Sequence, residues 1–208
     1  MHRPFARALL AILALALPTL PAAAQNLIPN GRFDTNLDGW TNVEPSKFWT
    51  SEDADNNPNS GSATIVNNLD VGGGPFIEVC VPIQPGAHYL YGGDVKIVSP
   101  LLDSGRGRLE LAFWPQLGCT GGGALGGILI TTQQGSWIPL LGSADAPGNA
   151  LSASLMIEVD KLLVVSTNDL AARFDNVLLV VPEPMATEAA LAALTPLGAL
   201  VLRRRRSR

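Results

Sequence analysis

Short apolar runs, each soon closed by glycine, proline, asparagine or aspartate, fill the middle of this 208-residue chain. None of them sustains the 3.6-residue spacing of an amphipathic helix, and several alternate apolar with polar residues, which is typical of strands. Strands are therefore predicted at residues 63–67, 76–81, 88–98, 108–114, 128–132, 137–141, 152–159 and 173–180. About eight or nine short strands with long connections favour an all-β fold, a jelly-roll β-sandwich rather than a small barrel.

The alternation also predicts which side chains face the core. Tyr89 and Tyr91 fall on the apolar face of their run, so both are predicted to be core residues rather than ligand platforms. In the run that ends at Trp114, leucine and phenylalanine occupy one face, and Arg108 and Glu110 share the other face with Trp114. Trp114 is therefore the aromatic residue for which the pattern most clearly predicts exposure.

The N-terminal residues 1–24 have the organisation of a secretory signal peptide. Arg3 and Arg7 form a positive region, residues 8–17 form an apolar run, and three alanines precede the predicted cleavage site before Gln25. The apolar run is ten residues long, about half of the ~20 needed to span a bilayer, so we expect removal rather than anchoring. The chain is thus predicted to be exported.

The C-terminal segment 182–208 combines a Pro-Glu-Pro motif, an apolar run and a block of arginines. These are Pro182, Glu183 and Pro184, and then, after the run 185–202, Arg203, Arg204, Arg205 and Arg206. The 18-residue run would reach about 27 Å as a helix, enough for the hydrocarbon core, with the arginines on the cytoplasmic side. The segment resembles a PEP-CTERM sorting signal. That resemblance implies a transmembrane helix cut near the motif by an exosortase-like enzyme, and an uncut membrane anchor is the alternative.

Residues 25–181 lie between these terminal segments and are long enough for one domain with a substantial core. They contain 16 acidic and 7 basic side chains, a net charge of −9, because half of the chain's 14 basic residues lie in the terminal segments. No Lys or Arg lies between Arg108 and Lys161. Such a body offers no basic patch for phosphates, so nucleic acid is excluded as a partner.

Two cysteines, Cys80 and Cys119, belong to this predicted domain. Export would place them in an oxidising compartment, where a disulfide is the expected state and two free thiols are the alternative. In the chain-entropy model, closing a loop of about 40 residues stabilises a fold by roughly 4 kcal/mol.

The opening NLIPNGRFDTNLDGW resembles that of CenC-like carbohydrate-binding modules, in which an N-G-x-F-[ED] stretch forms the first strand and Gly-Trp follows. Further stretches resemble the family in the same order: NSGSATIVN, CVPIQPGAHYLYGGDVKI, GSWIPLLGSADAPGNALSASLMIEV and ARFDNVLLV. The resemblance covers nearly all of residues 26–180. The matching positions in the opening are Asn30, Gly31, Phe33, Asp34, Gly39 and Trp40.

This resemblance implies a jelly roll of the galactose-binding type with one structural calcium ion. The matching carboxylates are Asp34 and Asp175, and carboxylate oxygens are ligands that Ca²⁺ prefers. The alternative is that both residues only cap turns.

The resemblance also implies binding of a polysaccharide through aromatic side chains that stack on sugar rings, and the producer's own exopolysaccharide is one candidate. Trp40 and Trp137 occupy positions that the family buries, which leaves Trp49 and Trp114 as candidate ligand-binding residues. A packing role is the alternative for each. The implied location is the cell envelope, cell surface or extracellular matrix.

Other polar stretches give no pattern for catalysis. His88 is the sole histidine of the predicted domain and is interpreted as a surface residue, and no nucleophile elbow is present, so no catalytic residue is predicted. Residues 51–61 are interpreted as a solvated acidic loop, and residues 117–127 as a mobile glycine-rich connection tethered at Cys119. A structural matrix protein without a sugar ligand, or a small glycoside hydrolase or lyase, remains an alternative function.

Overall fold

The computed structural model describes residues 25–68, 74–98, 105–161 and 169–182, and within them Gln25–Pro182 is one compact unit. These residues form nine strands: β1 (Lys47–Thr50), β2 (Ser62–Asn67), β3 (Phe76–Pro82), β4 (His88–Val98), β5 (Gly105–Trp114), β6 (Ala124–Thr131), β7 (Ile138–Asp145), β8 (Ser152–Lys161) and β9 (Leu170–Val180).

The strands form two antiparallel sheets. The five-stranded sheet has the order β1-β2-β9-β4-β7, and the four-stranded sheet has the order β3-β8-β5-β6. Most consecutive strands lie in different sheets, so the chain crosses repeatedly between the two layers. The described residues therefore form the all-β jelly-roll β-sandwich that the sequence predicts.

The core lies between the sheets and follows the alternation of each strand. In β5, Leu109, Leu111 and Phe113 are buried, and in β4 both Tyr89 and Tyr91 are buried. These burials confirm the predicted inward faces. The sandwich interior is therefore filled by side chains, and ligands have access to its outer faces, its edges and its ends.

The eight predicted strands are all present, and their ends differ most in β5, which begins at Gly105, and in β6, β7 and β9. β6 begins at Ala124 instead of residue 128, because Ala124 and Leu125 pair with the end of β5 although glycines surround them. β7 extends to Asp145, and β9 begins at Leu170. The predicted mobile connection 117–127 is thus partly a strand.

β1 is a strand that the sequence did not predict. It is a four-residue edge strand paired with β2, and it lacks clean alternation because Lys47 is buried on its inward side. The Lys47 Nζ donates to the Asn42 carbonyl at 2.8 Å and to Glu44 Oε1 at 3.1 Å, which explains how a lysine is tolerated there.

The opening motif folds as turns and not as the expected first strand. Asn30 and Phe33 have positive φ angles of 50° and 46°, which strand geometry does not allow. The segment still contacts β9, since the Val177 amide donates to the Gly31 carbonyl at 2.7 Å and the Leu27 amide donates to the Leu179 carbonyl at 2.8 Å.

Among the described residues, no helix has the length and apolar character to cross a membrane. The predicted signal peptide and the predicted C-terminal helix fall outside the described residues, so both remain predictions.

Replacing Gly31 with alanine tests the docking of the opening segment. A Cβ atom at residue 31 would lie 2.1 Å from the Val177 carbonyl oxygen, so the two backbones must separate. We expect Gly31→Ala to lower the free energy of unfolding by about 1–3 kcal/mol in urea denaturation. Gly148→Ala is the matched control, because a Cβ there meets nothing within 4 Å. Equal stability of the two variants would contradict this account.

Candidate binding face

Trp114 ends β5 on the outer face of the four-stranded sheet, as the alternation predicts. Its indole Nε1 donates to Ser154 Oγ on β8 at 3.0 Å, and the side chain is partly exposed. Gly123 lies against its six-membered ring, because a Cβ there would be 3.1 Å from three ring carbons. A hydrogen bond and a backbone contact therefore hold the ring in one orientation.

The predicted disulfide is present and fixes the loop beside Trp114. Cys80 on β3 bonds to Cys119, and their Cα atoms are 6.0 Å apart. The Cys119 amide donates to Ser152 Oγ at 3.1 Å, and that hydroxyl donates to the Gln116 carbonyl at 2.6 Å. The loop 115–123 is thus tied to both β3 and β8, so the surface around Trp114 is preformed.

A network of ion pairs occupies the other half of the same face. Arg108 contacts Glu158 at 2.6 Å and also contacts Glu110, and Arg106 contacts Asp160 at 2.8 Å. Each guanidinium is therefore neutralised by a carboxylate of its own or the adjacent strand. The Arg108 Nε is buried without a hydrogen-bond partner. The sequence analysis assigned no role to these residues, although β5 and β8 both carry a charge at alternate positions.

The register of the strands shows how the two halves join. From the tryptophan end, successive rows on the outer face of β3, β8 and β5 are Pro82 with Ser152 and Trp114, Cys80 with Ser154 and Ala112, Glu78 with Met156 and Glu110, and Phe76 with Glu158 and Arg108. The ring of Trp114 thus lies on the same surface as the carboxylates of Glu78 and Glu110, two rows away. Such a surface can stack on a sugar ring and accept hydrogen bonds from hydroxyl groups.

Glu158 has an unusual titration on this face. Burial, together with a hydrogen bond and a charge contact with Asp160, raises the pKa of Glu158 to about 7, while Arg108 opposes the shift. Because Glu158 is buried beneath its neighbours, it is placed to hold Arg108 and not to contact a ligand directly.

Trp49, the second predicted ligand-binding residue, lies elsewhere. It belongs to β1 in the five-stranded sheet, pairs with the core residue Ala63 and packs against the core. Its Nε1 donates to the Phe33 carbonyl at 2.7 Å, and Gly61 lies against its ring. The structure therefore does not bring Trp49 and Trp114 together on one face.

The two other tryptophans differ in burial. Trp40 is buried with its ring centroid 5.3 Å from that of Phe33, as the resemblance implies, and Trp137 is partly exposed.

The predicted calcium ligands flank the acidic loop 51–61. Asp175 is fully buried on β9, where it accepts hydrogen bonds from the amides of Ala54 at 2.8 Å and Asn176 at 2.7 Å. Asp34 is exposed, and Ser60 Oγ donates to it at 3.3 Å. Within the described residues, no three His, Cys, Asp or Glu side chains converge as metal ligands. Asp34 and Asp175 do not form a calcium ligand set by themselves, and calcium binding stays a prediction.

The acidic loop is more structural than the sequence suggested. Asp53 is buried and accepts the amides of Asp55 and Asn57 at 2.8 Å each. Glu52 forms ion pairs with Lys96 on β4 and Arg173 on β9. The expectation of a solvated loop was therefore wrong for these two acids, because the loop folds back onto the outer face of the five-stranded sheet and covers Asp175.

No protein-family model matches the sequence, and no curated protein matches it. Solved structures are similar in fold. A family 16 carbohydrate-binding module matches with a TM-score of 0.54 at 17% identity, over 74% of this chain and 99% of the module. A family 61 module solved with β-1,4-galactotriose matches with a TM-score of 0.52 at 12% identity, over 76% of this chain and 99% of the module.

The family 22 xylan-binding domain from Paenibacillus barcinonensis also has this fold. It matches with a TM-score of 0.50 at 16% identity, over 79% of this chain and all of that domain. At these identities the similarity establishes a fold shared with carbohydrate-binding modules, and the particular likeness to CenC-like modules stays a prediction.

The burial of Asp175 predicts a pH dependence of stability. Burial, with the nearby carboxylates of Asp53 and Asp55, raises the pKa of Asp175 to about 7, although two amide hydrogen bonds oppose the shift. The folded state therefore binds the proton more tightly than the unfolded state. This contribution to stability is full below about pH 4 and is lost as the pH rises through about 7.

Urea denaturation between pH 4 and pH 8, with a chelator present, measures this effect. The free energy of unfolding of wild type minus that of Asp175→Asn should fall as the pH rises, because the carboxyl group of wild type loses its proton and the amide of the variant does not titrate. Asp175→Asn should keep part of the pH dependence of its free energy of unfolding, since the pKa of Glu158 is raised in the same direction. A difference that is constant with pH, or that grows towards pH 8, would contradict the assignment.

Proposed function

We propose that the chain is an exported, non-enzymatic polysaccharide-binding protein of the cell envelope, cell surface or extracellular matrix. The observation that carries the proposal is Trp114, held in place on the same outer face of the four-stranded sheet as Glu78 and Glu110. The fold, which carbohydrate-binding modules share, supports the same proposal.

The outer faces of the two sheets differ in what covers them. On the five-stranded sheet, Glu52 holds the loop 51–61 over Lys96 and Arg173. On the four-stranded sheet, Trp114, Met156 and Glu110 are partly exposed along neighbouring strands. A preformed surface loses little conformational entropy when it binds, which favours the four-stranded sheet as the binding face.

Binding fits this face better than hydrolysis. A glycoside hydrolase needs a protonated carboxyl group that reaches the glycosidic oxygen, and Glu158 is the acid on this face whose pKa is raised. Its contact with Arg108 and its burial keep it beneath the surface. The carboxylates that remain accessible, such as Glu110, suit the recognition of hydroxyl groups.

Affinity gel electrophoresis with a panel of polysaccharides tests the proposal on protein purified after export to a bacterial periplasm. One polysaccharide should retard the protein, and Trp114→Ala should weaken that binding roughly tenfold or more, or about 1.4 kcal/mol. Phe48→Ala is the control, because Phe48 is an exposed aromatic residue on the other sheet.

The same experiment distinguishes the proposal from three alternatives: a role for Trp49 in binding, a role for a metal ion, and hydrolysis. Trp49→Ala should lower the thermal midpoint through loss of its bond to Phe33 and weaken binding in proportion to unfolding. Parallel gels with calcium and with chelator report whether a metal ion contributes. Retardation that is equal in wild type and Trp114→Ala would refute the assigned face, and release of reducing ends would favour a hydrolase.

Processing near Pro-Glu-Pro is the second part of the proposal. β9 ends at Val180, and Val181 is already exposed, so the chain leaves the sheet just before the motif. In a host with an exosortase-like enzyme, intact-mass spectrometry should find a product cut near Glu183. A variant that combines Pro182→Ala with Pro184→Ala should keep its tail, and full-length wild type in that host would indicate an uncut anchor.

A further inference from the structure

We propose that two copies of this chain associate through β6, so that their four-stranded sheets join into one continuous antiparallel sheet. β6 is the last strand in the order β3-β8-β5-β6, and among the described residues its ladder pairs with β5 alone. Its other side therefore presents a row of backbone amides and carbonyls that a further strand can pair with.

The side chains of β6 are unusually apolar for an exposed edge. Leu125, Ile128 and Ile130 are 62%, 44% and 49% exposed. All three lie on the outer face of the four-stranded sheet, because their partners on β5 are outward-facing residues. They line the free edge of β6 with apolar surface, which water solvates poorly and a strand paired there would partly cover.

β6 itself carries no charge. Residues 111–144 contain no Asp, Glu, Lys, Arg or His, and they include all of β6 and most of β7. Natural edge strands commonly carry a lysine or another charge that prevents pairing, and β6 has none. The bulge of β6 opposite Leu111 and Ala112 lies before Ile128, so the stretch from Ile128 to Thr131 lacks both kinds of protection against association.

The distribution of charge favours a second copy of this chain as the partner at the β6 edge. The predicted domain has a net charge of −9, so two copies repel each other wherever their acidic surfaces meet. The uncharged edge strand lets two copies approach with the least repulsion. A basic partner would gain less here than on the acidic surfaces of the domain, because β6 itself carries no carboxylate.

The sequence of β6 also suits a two-fold interface. If two antiparallel β6 strands pair about Leu129, Ile128 of one copy lies directly opposite Ile130 of the other on the outer face. Both isoleucines belong to that face, because their partners on β5 are Glu110 and Arg108. A symmetric contact of this kind closes after two copies and does not continue into a fibre.

Sedimentation velocity on the periplasmically exported protein, without glycan, tests the inference. Wild type should convert from monomer to dimer as its concentration rises, and Ile128→Lys or Ile130→Lys should move the midpoint to at least about tenfold higher concentration, because each replaces an apolar cross-strand contact and a lysine on an edge strand opposes pairing. Phe48→Lys is the matched control, since Phe48 is 43% exposed on β1, an edge of the other sheet.

A cross-linking measurement reports the register. An oxidised mixture of Ile128→Cys and Ile130→Cys proteins should form disulfide-linked dimers faster than either variant alone. Wild type that stays monomeric up to about 100 times the glycan assay concentration, or that forms open-ended aggregates, would overturn the inference, as would equal effects of Ile128→Lys and Phe48→Lys. Circular dichroism of each variant verifies that it is folded.

Discussion

Apolar packing between the two inner sheet faces is the interaction on which the rest of the structure depends. Phe174 on β9 and Leu109 on β5 are both fully buried between the layers, as are Tyr89 on β4 and Ile157 on β8. These side chains fill the space between the sheets over the part of the chain that the structure describes. Recognition is therefore left to what the sheets present outwards, and the two sheets present very different surfaces.

The difference between the outer faces comes from one loop. The segment 51–61 returns over the five-stranded sheet, where the buried Asp53 and the ion pairs of Glu52 secure it. Its position removes Asp175 from water, and desolvation raises the pKa of that carboxyl. On the opposite side, the shorter loop 115–123 is held at Cys119 by a disulfide and contacts the buried Ser152, while Trp114, Met156 and Glu110 stay partly exposed.

Much of the fold could be predicted from the sequence because alternation and punctuation are local signals. The inward face of β5 and the exposure of Trp114 followed directly from period-two spacing. β1 was missed because a buried Lys47 hides its alternation. The turn at Asn30 and Phe33 was missed because the family resemblance implied a strand there, whereas the Asn30-Gly31 dipeptide itself favours a turn. The contact of Arg108 with Glu158 needs the register of two strands 50 residues apart, which no local pattern supplies.

The central place of β9 has a mechanical consequence. β9 lies between β2 and β4 in its sheet, and the chain leaves it at Val180, directly before the Pro-Glu-Pro motif. If the protein is tethered at that motif while its body is attached elsewhere, a pulling force runs along β9. The hydrogen bonds to both neighbouring strands then bear the load together in shear, rather than opening one after another. The strand next to the tether is therefore the one best placed to resist extraction.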